Sequence, residues 1–186
     1  MAYDKVNVLV GAATIYVDDN NLGWTSAGVT LEHASEFYNV EVDQDQYPVK
    51  SFRTKESFKI KTNLAENTLE NLKIAWGIDS AIDTTTTAGS RRLVLGGSSA
   101  EATEHTLDVY GNSPSHPGGT RQRRIHFYRV VAIEFGSLVI EKNKEQVIPV
   151  VFEALLDSTY DAVGYIEDQT ARTYLKLISR VTVTSS

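Results

Sequence analysis

A chain of 186 residues, 41% hydrophobic and 23% charged, has ordinary globular composition and enough length to bury a core, which sets it apart from disordered and fibrous sequences. It contains no cysteine, which excludes disulfides, thiolate nucleophiles and Cys-based zinc sites. No apolar run approaches the roughly 18 residues of a membrane-spanning helix, and a net charge of −6 argues against a nucleic-acid binder built on a basic surface.

In chain order, short strands are predicted over 6–10 and 13–17, then a polar turn at Asp18-Asp19-Asn20-Asn21 and another short strand over 28–33. Residues 36–46 alternate Tyr38, Val40 and Val42 with Asn39, Glu41, Asp43 and Asp45. Residues 49–62 alternate Phe52, Phe58 and Ile60 with Arg53, Lys55, Lys59 and Lys61. Period-2 alternation predicts a sheet with one buried and one wet face. A tight turn at Tyr47-Pro48-Val49 would oppose Asp43 to Arg53, Glu41 to Lys55 and Tyr38 to Phe58, with Glu56 left on the apolar face beside Val40. Such cross-strand pairs contribute roughly 0.2–1 kcal/mol each.

A helix is predicted over 64–76, with Asn63 as N-cap, Glu66 completing a capping box and Gly77 just past its end. Ala65, Leu69, Leu72 and Trp76 form its apolar stripe, expected to cover a sheet face. Residues 79–92 and 111–123 read as long exposed loops, rich in Thr, Gly and Pro. Further strands are predicted over 92–96, 105–110, 121–135, 138–142, 146–156 and 174–184. In 121–135, Ile125, Phe127, Val131, Ile133 and Phe135 share one face. The pattern predicts a single mainly β domain over 1–186, an antiparallel β-sandwich or barrel with one flanking α-helix.

Charge is segregated along the chain. Residues 1–48 hold one Lys and eight acidic residues (−7), 49–62 hold five basic and one acidic (+4), and 121–129 hold four Arg and no acid (+4). Blocks of opposite sign suit either pairing within one sheet or self-association between copies.

No catalytic pattern emerges. His33, His105, His116 and His126 lack metal-ligand spacing, and no Gly-x-Ser-x-Gly or phosphate loop is present. Asp43-Gln-Asp45 lacks the glycine turn of a calcium loop. Tyr110, Tyr128, Tyr160, Tyr165 and Tyr174 would suit either a sugar-binding face or ordinary packing on a sheet surface. The expectation is a non-enzymatic protein without cofactor or metal, with a carbohydrate-binding module as a remote alternative. Met1-Ala-Tyr-Asp-Lys does not open a signal peptide, which gives the expectation of synthesis in the cytosol.

Gly11-Ala-Ala-Thr-Ile-Tyr-Val, Leu22-Gly-Trp-Thr-Ser-Ala-Gly-Val-Thr-Leu and Val40-Glu-Val-Asp-Gln-Asp-Gln-Tyr-Pro-Val, with Arg53-Thr-Lys-Glu and Thr62-Asn-Leu-Ala-Glu-Asn-Thr-Leu-Glu-Asn-Leu, resemble the major tail tube proteins of long flexible-tailed bacteriophages. The resemblance spans residues 6–77. It implies a homohexameric ring, stacking of rings into a virion tail tube assembled in the host cytoplasm, and hairpins joined into one barrel around a lumen. Implied partners are further copies of the chain, a tape-measure protein, tail terminator and baseplate proteins, and DNA in passage, with no membrane. Glu41, Asp43 and Asp45 would face the lumen, and Arg53, Lys55, Lys59 and Lys61 would pair with them or with the adjacent subunit. Thr84, Thr85, Thr86, Arg121, Arg123 and Arg124 would meet the next ring. A tail terminator, a baseplate ring or a secreted tube protein is the nearest alternative.

Overall fold

The computed structural model describes residues 13–85, 89–96, 101–113, 121–143 and 145–170. Eight strands and one short helix follow in the order β1 (Thr14–Val17), β2 (Asn20–Asn21), β3 (Thr25–Val40), β4 (Lys50–Leu64), α1 (Leu69–Ala75), β5 (Glu104–Asn112), β6 (Arg121–Phe135), β7 (Ile148–Ala154) and β8 (Gly164–Thr170). All pairings are antiparallel, in the order β2-β1-β5-β6-β7-β4-β3, and β8 pairs with the first half of β6. The mainly β, antiparallel class with one helix is borne out.

The sheet curls upon itself. Phe58 of β4 lies 6.4 Å from Phe127 of β6, although β7 separates those strands in the ladder. Ile15, Ile60, Leu64, Leu107, Val130, Ile148, Val150 and Phe152 are fully enclosed between the two halves. Asp18 and Asp19 both have positive φ (49° and 63°), the two-residue primed turn that matches strand twist. Asp18 also accepts from the Thr106 N–H (2.8 Å), tying the turn to β5.

Several predicted elements differ. The segments 28–33 and 36–46 are parts of one strand, β3, which ends at Val40; residues 41–49 form a loop rather than a tight turn. The register opposes Glu36 to Lys55, Phe37 to Arg53, Tyr38 to Phe52 and His33 to Phe58. Asp43–Arg53, Glu41–Lys55 and Tyr38–Phe58 are therefore not pairs, and Glu56 lies opposite Ser35 rather than beside Val40. Two bulges interrupt the ladder. One is at Ala27-Gly28, both with positive φ (64° and 78°); the other is between Glu36 and Phe37.

The helix is shorter than predicted because Leu64 is fully buried as the last residue of β4. Thr68, not Asn63, caps it, its hydroxyl accepting from the Asn71 N–H at 3.1 Å. Ala65 lies outside the helix. Ala75 and Asn71 are its buried residues, and Leu72, Ile74 and Trp76 pack half-buried on the core. Gly77, with φ +58°, ends it as expected.

Residues 121–135 form one strand with the predicted bounds, but its core face changes parity. Ile125 and Phe127 face inward, then Val130 and Ala132 do, because a register shift opposite His105/Leu107 inserts a residue. Val131, although buried, and the half-buried Ile133 therefore fall outside the main core cluster, and the Phe135 side chain lies outside the described residues. Segments 92–96 and 138–142 are not strands; 92–96 makes only an isolated bridge from Arg92 to Asp83. The predicted strands at 6–10 and 174–184 lie outside the described residues.

β8 was not expected. Gly164 sits so close to β6 that a Cβ there would lie 2.1 Å from the His126 carbonyl oxygen. Gly164→Ala is expected to lower stability by about 1–3 kcal/mol by prising β8 from β6. Hydrogen exchange should show the loss confined to β8 and its partners on β6; unchanged protection there would refute this account.

Candidate assembly surface

The long hairpin outgrows the sheet that carries it. β7 pairs with β4 only over Lys59–Leu64, so the ribbon formed by residues 31–40 and 50–58 has no further strand on either edge among the described residues. Its burial pattern records the change: β4 alternates to buried only at Ile60, Thr62 and Leu64, and residues 50–56 are exposed on both faces.

On the core side, Leu31/Ile60 and His33/Phe58 lead outward to Ser35/Glu56 and Phe37/Arg53. The His33 ring stacks on Phe58 (4.5 Å), and its Nε2 lies 2.8 Å from Glu56 Oε1, to which Arg53 also donates (2.5 Å). The hydrogen bond with His33, aided by Arg53, holds the Glu56 carboxyl below its usual range. Ser35 Oγ meets that same His33 nitrogen (3.2 Å), so this trio offers no relay through the two ring nitrogens of a nucleophile–base–acid triad.

The opposite, wet face is a ladder of charge. Lys61 pairs with Glu32 (2.9 Å) and Lys55 with Glu36 (3.7 Å), while Lys59 stands between Glu32 and Glu153 in register. The Glu32 hydrogen bond raises the Lys61 ammonium above its ordinary range. Beyond these pairs come Tyr38/Phe52 and Val40/Lys50, with the Lys50 ammonium 4.5 Å over the Phe52 ring. Thus Arg53, Lys55 and Lys61 pair with Glu56, Glu36 and Glu32, not with Asp43, Glu41 or Asp45. Those three acids lie together in the exposed loop 41–49, closed by Val49 N–H to Val40 O (2.9 Å).

The predicted arginine contacts are also internal. Arg123 makes a two-pronged bond to Asp168 (2.9 and 3.1 Å), and Arg124 another to Asp108 (2.7 and 2.9 Å). Arg129 does the same with Glu104 (2.8 and 2.5 Å). The Asp108 hydrogen bond raises the Arg124 guanidinium further above its ordinary value. The basic block is therefore matched by acids of its own chain, two of them on the unforeseen β8: Asp168, and Glu167 at 3.6 Å from Arg124. The side chain of Arg121 and residue Thr86 lie outside the described residues. Thr85 donates from N–H and Oγ1 to Asp83 (2.8 and 2.9 Å), and Thr84 beside it is exposed. Asp83 pairs with Arg92 (3.0 Å), which pins the described part of loop 79–92.

Tyr110, Tyr128, Tyr160 and Tyr165 do share one sheet face, with Tyr174 outside the described residues. Their rings engage neighbours rather than forming an open row. Tyr128 stacks on Tyr160 at 4.1 Å, Tyr165 and Tyr128 flank His126, and Arg124 lies between Tyr110 and Tyr165. His126 Nδ1 and His105 Nδ1 each meet one carboxylate, of Asp108 (2.8 Å) and Asp18 (2.6 Å); His116 lies outside the described residues. Among the described residues no group of three or more His, Asp or Glu is placed to hold a metal.

No protein family profile matches the chain, and no curated protein matches it. Among solved structures it is similar to a chain of an extracellular contractile injection system, the PVC sheath-tube complex in its extended state. That likeness has 8% identity and a TM-score of 0.48, covering 88% of this chain and 91% of the other.

What sequence reasoning missed is β8 and the half-buried Asp108–Arg124–His126 group it covers. The available signal was the run Gly164-Tyr165-Ile166-Glu167, whose alternation matches a strand laid beside 121–127.

Proposed function

We propose that this chain is a structural subunit that assembles with copies of itself into rings stacked as a tube, the role implied by its resemblance to phage tail tube proteins. The observation that carries the reading is the ribbon of β3 and β4, which among the described residues is open on two edges and exposed on two faces. A two-stranded ribbon is marginal alone in water, and a long open edge is an aggregation hazard unless something pairs with it. Copies arranged with β3 of one beside the outer β4 edge of the next keep the antiparallel order and close both edges. In that arrangement Glu36 of one copy comes level with Lys55 of its neighbour on the open part of the edge, so charges of opposite sign alternate around the ring.

The wet face then lines the lumen. Glu32, Glu36, Glu134 and Glu153 stand there against Lys50, Lys55, Lys59 and Lys61, so the wall carries no basic excess to hold phosphates. The acidic excess is at the hairpin tip, where Glu41, Asp43 and Asp45 form a collar. This suits a conduit for DNA and a tape-measure protein, in a hexamer as the resemblance implies. Negative-stain microscopy of the purified protein tests it: rings or tubes with a central channel are expected, and a monodisperse monomer at high concentration would overturn it.

A further inference from the structure

We draw no further inference here: the strongest candidate, the apolar cleft between the root of the β3–β4 ribbon and strands β5 and β6, lined by Val29, Leu31, Ile60, Val109, Ile125 and Phe127, carries nothing because nothing in the structure shows what covers it.

Discussion

Phe37→Asp is expected to leave the isolated subunit folded and to prevent its assembly. Phe37 is 61% exposed in the single chain, opposite Arg53 on the ribbon's core-side face, beyond the last buried residue of β4. Replacing it removes little from the subunit's own core, so urea unfolding should shift by less than about 0.5 kcal/mol, as for ordinary surface changes. In the ring proposed above, this face of the ribbon is taken to pack against the neighbouring copy. There the substitution loses about 2–3 kcal/mol of aromatic burial and adds the desolvation of a carboxylate. A loss of about 4 kcal/mol per contact weakens association roughly a thousandfold, and a closed ring feels it at every contact. Sedimentation velocity should show the variant as monomer at concentrations where the natural chain assembles. Equal assembly of the two would mean that this face stays open to solvent, and the ribbon would lose its place in the interface.

How much of this was legible in the sequence depends on what alternation encodes. It gave the extent of 121–135 and its inward face as far as Phe127, but not the face beyond, where the bulge switches parity. It failed on where the hairpin stops pairing, because Glu41-Val42-Asp43 alternates just as Glu36-Phe37 does. Charge matching could not correct this: Lys and Glu recur at every second or fourth position, so Lys55 finds an acid opposite whether that acid is Glu36 or Glu41. The loop 41–49, where a three-residue turn was expected, sets Val40 opposite Lys50 and shifts the register from the tip onward, which is why the charge ladder was expected in the right strands but with the wrong partners. Leu64 shows a tertiary effect overriding a local one. Its fit in the core extends β4 through a good N-cap at Asn63 and delays the helix to Thr68. β8 escaped notice because its Ile166 remains exposed, leaving a weak apolar signal.

The half-buried ion pair of Arg124 and Asp108 provides the largest expected change in subunit stability. Asp108 is buried in β5, receives two guanidinium bonds and lies 2.8 Å from His126 Nδ1, under a roof of Tyr110 and Tyr165. Asp108→Ala leaves the Arg124 guanidinium largely enclosed with only Glu167, at 3.6 Å, to answer it. The expected loss is about 2–4 kcal/mol, since removing one partner strands the other's charge away from water. By the usual size scaling, that lowers Tm by roughly 4–16 °C in a chain of this length. The contrast is Arg123→Ala, whose pair with Asp168 is more open to solvent and is expected to matter by about 1 kcal/mol or less. A double variant, Asp108→Leu with Arg124→Met, separates charge from shape: removing both charges together should recover most of the stability lost in Asp108→Ala. If the double variant is as unstable as the single one, the group's contribution lies in holding β8 to β6 through its hydrogen bonds, and stranding a charge is not the cause. Urea titrations of the four proteins, with equal slopes, would distinguish these outcomes directly.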